Sequence, residues 1–198
     1  MKINKILLVL ALAVTAMSVS AQKLEGASDE VNEYYWLAMR NNNAAMFSLA
    51  MCYYNGTGIR KSHSEALKWW ERSAELNLPE SQYNTALCYY NGVGAPVDYK
   101  KAVKWWTRAA KQGHIEAMYN LGMCYANGQG TEQDFVQAAR WYEKAAKKGY
   151  APAQYALGVC YGKGEGVELD SEKAEKWLRK AANQNYALAI KLLTELQK

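Results

Sequence analysis

The sequence predicts an all-α fold, a right-handed α-solenoid of helix-turn-helix repeats, and three periodicities carry that expectation. Cys52, Cys88, Cys124 and Cys160 stand 36 residues apart. The same interval brings Gly56, Gly92, Gly128 and Gly164 into register, and Gly58, Gly94, Gly130 and Gly166 two positions later. It also aligns Trp69, Trp105, Trp141 and Trp177, as well as Ala74, Ala110, Ala146 and Ala182. Self-similarity at a fixed interval of this size marks a stacked array, in which each unit buries its apolar face against its neighbours. No insertion breaks the interval, so the four units are expected to share one backbone.

Within a unit, Ala117, Leu121, Cys124 and Tyr125 fall on one face of a helix, at i, i+4, i+7 and i+8. Asn127-Gly128-Gln129-Gly130 then supplies a turn in which glycine accepts positive φ at little cost. Ala138, Trp141, Tyr142, Ala145 and Ala146 form the apolar face of a second helix. Alternating small and large residues lets such helices approach and interdigitate.

Caps place the starts and stops. Ser62 with Glu65, and Asp134 with Gln137, have capping-box spacing. Asp98 and Asp170 occupy the same place and cap through a carboxylate. Asn77, Gly113, Gly149 and Asn185 are expected to end the second helices, because Gly and Asn tolerate the left-handed conformation. At the ends of the array, residues 29 to 41 read as a second helix without its partner, with Tyr34 in the place of Trp70 and Ala38 in that of Ala74. Residues 187 to 198 read as a lone first helix, with Leu193 in the place of Leu157 and Leu196 in that of Cys160.

Ahead of the array, Lys2 and Lys5 precede a nearly unbroken apolar run from Ile6 to Ala16, followed by the small residues Val19, Ser20 and Ala21. The run is shorter than the roughly 20 residues that span a bilayer. The pattern predicts an export leader over residues 1–21, cleaved after Ala21, and a periplasmic or secreted chain that does not span the membrane. The expected organisation is this leader, a linker and capping helix over 22–43, four repeats over 44–186 and a capping helix over 187–198. The formal net charge is +5, with Lys and Arg interleaved among Glu, which argues against a nucleic-acid partner. Tyr (15) and Trp (7) greatly outnumber Phe (2), a balance suited to surfaces that are half apolar and half wet.

The stretch from Ala117 to Gly130, with Asp134, Ala138, Trp141, Tyr142, Ala145 and Ala146, resembles the Sel1-like repeat, a relative of the tetratricopeptide repeat. The resemblance covers residues 44 to 187. It implies a bent solenoid that acts as an adaptor with a protein or peptide partner. The chain is expected to be a monomer with no cofactor and no enzymatic activity. One exported branch of the family is cysteine-rich, with two disulfide-linked cysteines per repeat, whereas each repeat here has one. A member of that branch has been linked to penicillin binding or hydrolysis, so the alternative reading is a periplasmic enzyme or binder acting on β-lactams or cell-wall peptides.

Other chemistry finds little support. The glycine pairs sit between helices and follow no strand, unlike a phosphate-binding loop. Equivalent cysteines in stacked repeats are expected about 10 Å apart, beyond the roughly 7 Å that a disulfide spans. Each therefore reads as a small buried hydrophobe. Only His63 and His114 are present, and no Cys-x-x-Cys pair suggests a metal. Beyond Ala21 there is no Ser-x-x-Lys, and the chain has no His-Glu-x-x-His or Gly-x-Ser-x-Gly.

The candidate site is a groove. With Leu121 at the centre of a buried face, a rotation of about 100° per residue puts Tyr119, Met123 and Ala126 opposite it. Their equivalents are Phe47, Met51 and Tyr54; Tyr83, Leu87 and Tyr90; and Tyr155, Val159 and Gly162. By analogy with tetratricopeptide arrays, this face looks into the concave surface. Met51, Tyr54, Leu87, Tyr90 and Met123 are expected to be exposed there. Phe47, Tyr83, Tyr119 and Tyr155 have two readings: groove lining, or aromatics that pack against the neighbouring helix.

Overall fold

The computed structural model describes residues 23–196, so the leader expected over residues 1–21 lies outside the described residues. These residues form ten helices and no strand. They fall into two compact units, one ending at Leu76 and one beginning at Asn77. The first contains α1 (Asp29–Met39), α2 (Asn43–Asn55) and α3 (His63–Glu75). The second contains α4 (Pro79–Asn91), α5 (Tyr99–Lys111), α6 (Ile115–Asn127), α7 (Phe135–Lys147), α8 (Ala151–Lys163), α9 (Ser171–Ala182) and α10 (Ala187–Leu196).

The periodic residues form the joints. Gly56, Gly92, Gly128 and Gly164 end α2, α4, α6 and α8 in the left-handed conformation, and each donates its N–H to the carbonyl of that repeat's cysteine. The following residue donates to the same carbonyl, for example Gln129 to Cys124 at 3.0 Å. One of the helix's orphan terminal carbonyls thereby accepts two N–H groups. Asn77, Gly113, Gly149 and Asn185 have positive φ beyond the second helices.

The capping expectation is met in half. Ser62, Asp98, Asp134 and Asp170 accept from the backbone N–H three residues on. The reciprocal bond of a capping box is not made, because the N–H groups of Ser62 and Asp134 donate to Tyr53 O and Tyr125 O, both at 2.9 Å. Glu65 is instead paired with Lys68 at 2.6 Å. The cap residue is thus a staple between the two helices of a repeat.

In the third and fourth repeats the second glycine of the turn serves contact between repeats. A Cβ at Gly130 would overlap the backbone carbonyl of Tyr99, and one at Gly166 that of Phe135. Each of these two turns therefore sits directly on the first turn of the preceding second helix. In the first unit, Ser28 donates its N–H to Gly58 O at 2.7 Å, seating α1 in the same way.

Leu121, Leu157 and Leu178 are at most 2% exposed, as is Trp106, and Met46 and Leu49 fill the core of the first unit. Burying each such side chain contributes about 1.5–3 kcal/mol. Two expectations need correction. Cys52 is only half-buried, unlike Cys88, Cys124 and Cys160, although all four are free thiols. Leu196 is 69% exposed rather than buried like Cys160, because no described helix lies beyond α10 to cover it.

Candidate functional site

α2 in the first unit carries Phe47, Met51 and Tyr54. In the second unit, α4 carries Tyr83, Leu87 and Tyr90, α6 carries Tyr119 and Met123, and α8 carries Tyr155 and Val159. All are half-buried except Tyr54, which is 36% exposed. The expected exposure of Met51, Leu87, Tyr90 and Met123 is thus partial. For Tyr90 the cause is packing onto the second helix of its own repeat.

That packing recurs. Tyr54 lies 5.3 Å from Trp70 and 4.9 Å from His63, centroid to centroid. Tyr90 lies 5.2 Å from Trp106 and 5.1 Å from Tyr99, and its hydroxyl donates to Gln129 Oε1 at 2.9 Å. In the third repeat the same column holds Ala126. With no ring there, an apolar pocket of about 210 Å³ opens, lined by Ala126, Phe135, Tyr142, Tyr155 and Val159 among others. The expected groove residue Tyr155 belongs to this pocket. Sequence reasoning did not single out Phe135 or Tyr142 as pocket walls, although the Tyr, Tyr, Ala, Gly order of the column was the available signal.

The other aromatic column takes part in packing. Tyr83 stacks on His114 at 4.5 Å, Tyr119 meets Tyr150 at 5.5 Å, and Tyr155 meets Tyr186 at 5.5 Å. Each partner immediately precedes the next first helix, so this column clasps successive repeats while staying half-open to solvent. Burial pushes the phenols of Tyr83, Tyr119, Tyr142, Tyr150 and Tyr186 above their ordinary range, so they stay neutral. Burial pulls His114 below the ordinary histidine range. The neutral ring fits its role, because Nδ1 accepts the Ala117 N–H at 3.4 Å while capping α6. Its 3.3 Å approach to Glu116 is therefore not an ion pair at neutral pH.

The column residues are uncharged and largely aromatic with hydroxyl tips, and Glu165 is the one charged residue lining the pocket beside Ala126. Among the described residues, no cluster of His, Cys, Asp and Glu could hold a metal, and no helix is long and apolar enough to cross a membrane.

The Sel1 repeat pattern matches residues 43–78, 79–114, 115–150 and 151–193. A protective antigen of uropathogenic Escherichia coli displaying an SLR fold is similar at 32% identity and a TM-score of 0.78 over 81% of this chain. This chain spans 35% of that antigen's length. A Sel1 repeat protein of Oxalobacter formigenes is similar at 32% identity and a TM-score of 0.75, covering 85% of this chain and 68% of its own. Cysteine rich protein B of Helicobacter pylori shares the fold at 22% identity and a TM-score of 0.52, over 65% of this chain and 96% of its own. Among curated protein sequences there is no match. Sel1-repeat solenoids are generally non-enzymatic scaffolds for protein–protein interaction. With four tandem matches that coincide with the helix pairs, this chain belongs to the Sel1 repeat family.

Proposed function

We propose that this chain is an exported adaptor that takes a protein or peptide segment on the face of its first helices. The apolar pocket beside Ala126 anchors one large apolar side chain of that segment. The observation that carries the reading is the pocket itself, whose walls Phe135, Tyr142, Tyr155 and Val159 are aromatic or aliphatic. Interface cores are enriched in such anchors, and a preformed pocket lowers the ordering cost of binding. Tyr90, Met123 and Tyr119 extend the surface along the second unit, and Phe47, Met51 and Tyr54 offer the same chemistry on the first. Export rests on residues 1–21, and N-terminal sequencing of secreted protein should begin at Gln22.

The test is photocrosslinking in the native envelope from a benzophenone side chain at Val159, with Lys104 as the control position. A partner should crosslink from Val159, and Ala126→Tyr should abolish it by restoring the ring found at Tyr54 and Tyr90. Crosslinking that survives Ala126→Tyr together with Tyr90→Ala and Met123→Ala would remove the face from consideration.

A further inference from the structure

The repeats act as controls for one another, and one pair of columns holds a glutamine bridge in the second and fourth repeats but Met46 with Leu76 in the first and Met118 with Lys148 in the third. In the second repeat, Gln112 Nε2 donates to Gln82 Oε1 at 2.8 Å. In the fourth, Gln184 Nε2 donates to Gln154 Oε1 at 2.8 Å and to Gly149 O at 2.9 Å. This side-chain bridge closes the gap between the end of the second helix and the first helix beside it. In the third repeat the two columns hold Lys148 and Met118. An ammonium accepts no hydrogen bond and a thioether accepts one only weakly, so the bridge is lost.

A cleft of about 520 Å³ stands in its place, bounded by the end of α5, by α6 and by α7. Met118, 5% exposed, forms its floor. Trp141 forms a wall, with Lys144 Nζ held 3.9 Å above its ring. Lys111, Lys144, Lys147 and Lys148 complete the lining, which contains no acidic residue. Lys147 is paired with Glu143 at 2.7 Å. None of the ion pairs among the described residues involves Lys111, Lys144 or Lys148. Tryptophan–cation stacks occur in the neighbouring repeats too, at Trp105 with Arg108 and at Trp177 with Lys180. The stack is therefore a family of contacts, and what is particular to the third repeat is a lysine, Lys148, above the methionine floor, where the other repeats have Leu76, Gln112 and Gln184.

We infer that this cleft is a second docking surface, for an acidic peptide segment of a protein partner that carries carboxylates on both sides of an apolar side chain. Three cations share the cleft without a counter-charge, and carboxylates supply it. The mutual repulsion that an anion relieves acts within the Debye length of about 8 Å at physiological salt. The apolar floor selects a peptide over a bare anion, because an inorganic ion would leave Met118 and Trp141 unused. Methionine suits the place, since its flexible thioether moulds to varied side chains. The inference does not depend on the first-helix proposal, which concerns Ala126 and Tyr155.

The probe is a fluorescein-labelled peptide of alternating Glu-Glu pairs and single Leu residues, titrated with the full chain and read by fluorescence anisotropy. Saturable binding that weakens with salt is expected. Lys111→Gln with Lys144→Gln and Lys148→Gln should weaken it by about tenfold or more. So should Met118→Gln with Lys148→Gln, which rebuilds the neighbours' glutamine bridge and removes a single charge. Lys100→Gln with Lys163→Gln and Lys176→Gln removes three charges elsewhere and should leave binding within about twofold. Circular dichroism establishes that each variant is folded. Absence of saturable binding overturns the proposal, as does equal loss in the charge-matched control or full binding by the bridge-restoring variant. Preference for phosphatidylglycerol vesicles or inorganic phosphate over the peptide overturns it equally.

Discussion

Replacing Gly130 by Ala should be far more damaging than replacing Gly149 by Ala, although both glycines have left-handed backbones, with φ of 75° and 92°. The conformational penalty for a Cβ in that region is about 1–2 kcal/mol and is common to both. The surroundings differ. A Cβ at Gly149 meets nothing within 4 Å. At Gly130 it would overlap the carbonyl of Tyr99 and lie 2.9 Å from Lys100 N, all backbone of the first turn of α5. A helix backbone cannot swing aside as a side chain does, so the turn must retract by roughly an ångström. At that separation the facing atoms forfeit a quarter to a half of their dispersion energy.

We expect Gly149→Ala to cost about 1–2 kcal/mol and Gly130→Ala about 3–5 kcal/mol, in the range reserved for a named structural lesion. Urea denaturation followed by far-ultraviolet circular dichroism separates them. With m-values of about 1–3 kcal/mol/M, the midpoints should differ by on the order of 1 M. Gly166→Ala, facing the carbonyl of Phe135, should behave like Gly130→Ala. Equal losses at Gly130 and Gly149 would refute the claim that turns seat repeat on repeat.

Alkylation of the native protein should label Cys52 first, since it alone is half-buried, with Cys124 slowest. Burial pushes the thiols of Cys124 and Cys160 up to about 12 and 11, so almost no thiolate is present in either. Intact mass should show four labels in denaturant without reductant, and labelling that requires reductant would contradict the free-thiol assignment. For His114, burial holds the folded ring below its ordinary value, despite the raising influence of Glu116 and Glu80. Its stabilising contribution is therefore complete above about pH 6.5 and declines as pH falls through that value toward the lower folded one. His114→Asn keeps an N-cap residue without titration. The urea midpoint of the parent should thus drop more than that of the variant between about pH 7.5 and 5.5, and parallel curves would show that the ring titrates without consequence for folding.

Local chemistry was legible in the sequence and contacts between elements were less so. Asp98, Asp134 and Asp170 act within three residues of themselves, and Gly128 within one turn, so spacing alone located them. The missing half of the capping box was not legible, because the competing acceptor, Tyr53 O or Tyr125 O, belongs to another helix. Tyr119 was ambiguous for the same reason: its contact with Tyr150 depends on where the next repeat begins in space. A helical wheel assigns a face but not what covers it, hence the half-burial of Met51, Leu87 and Met123. Cys52 and Leu196 departed from their columns because a shared position guarantees a shared backbone and not a shared neighbour.

In an array of this kind, residues common to all repeats maintain the backbone, so recognition falls to the columns that vary. The column of Tyr54 reads Tyr, Tyr, Ala, Gly, and the facing column reads Trp70, Trp106, Tyr142, Leu178. Both lose bulk in the same direction along the chain. The first two repeats fill the space with a tyrosine on a tryptophan, at 5.3 and 5.2 Å. The third opens a pocket, and in the fourth a Cβ at Gly162 would meet only Ala174, at 3.6 Å. On the proposed reading, a bound segment meets closed, hydroxyl-tipped surface at Tyr90 and open apolar space beside Ala126. A segment with its bulky apolar residue at one end then binds in one orientation, because reversal would press that residue against Tyr90 and leave the pocket empty. Direction, which a uniform repeat could not impose, follows from this gradient in side-chain volume.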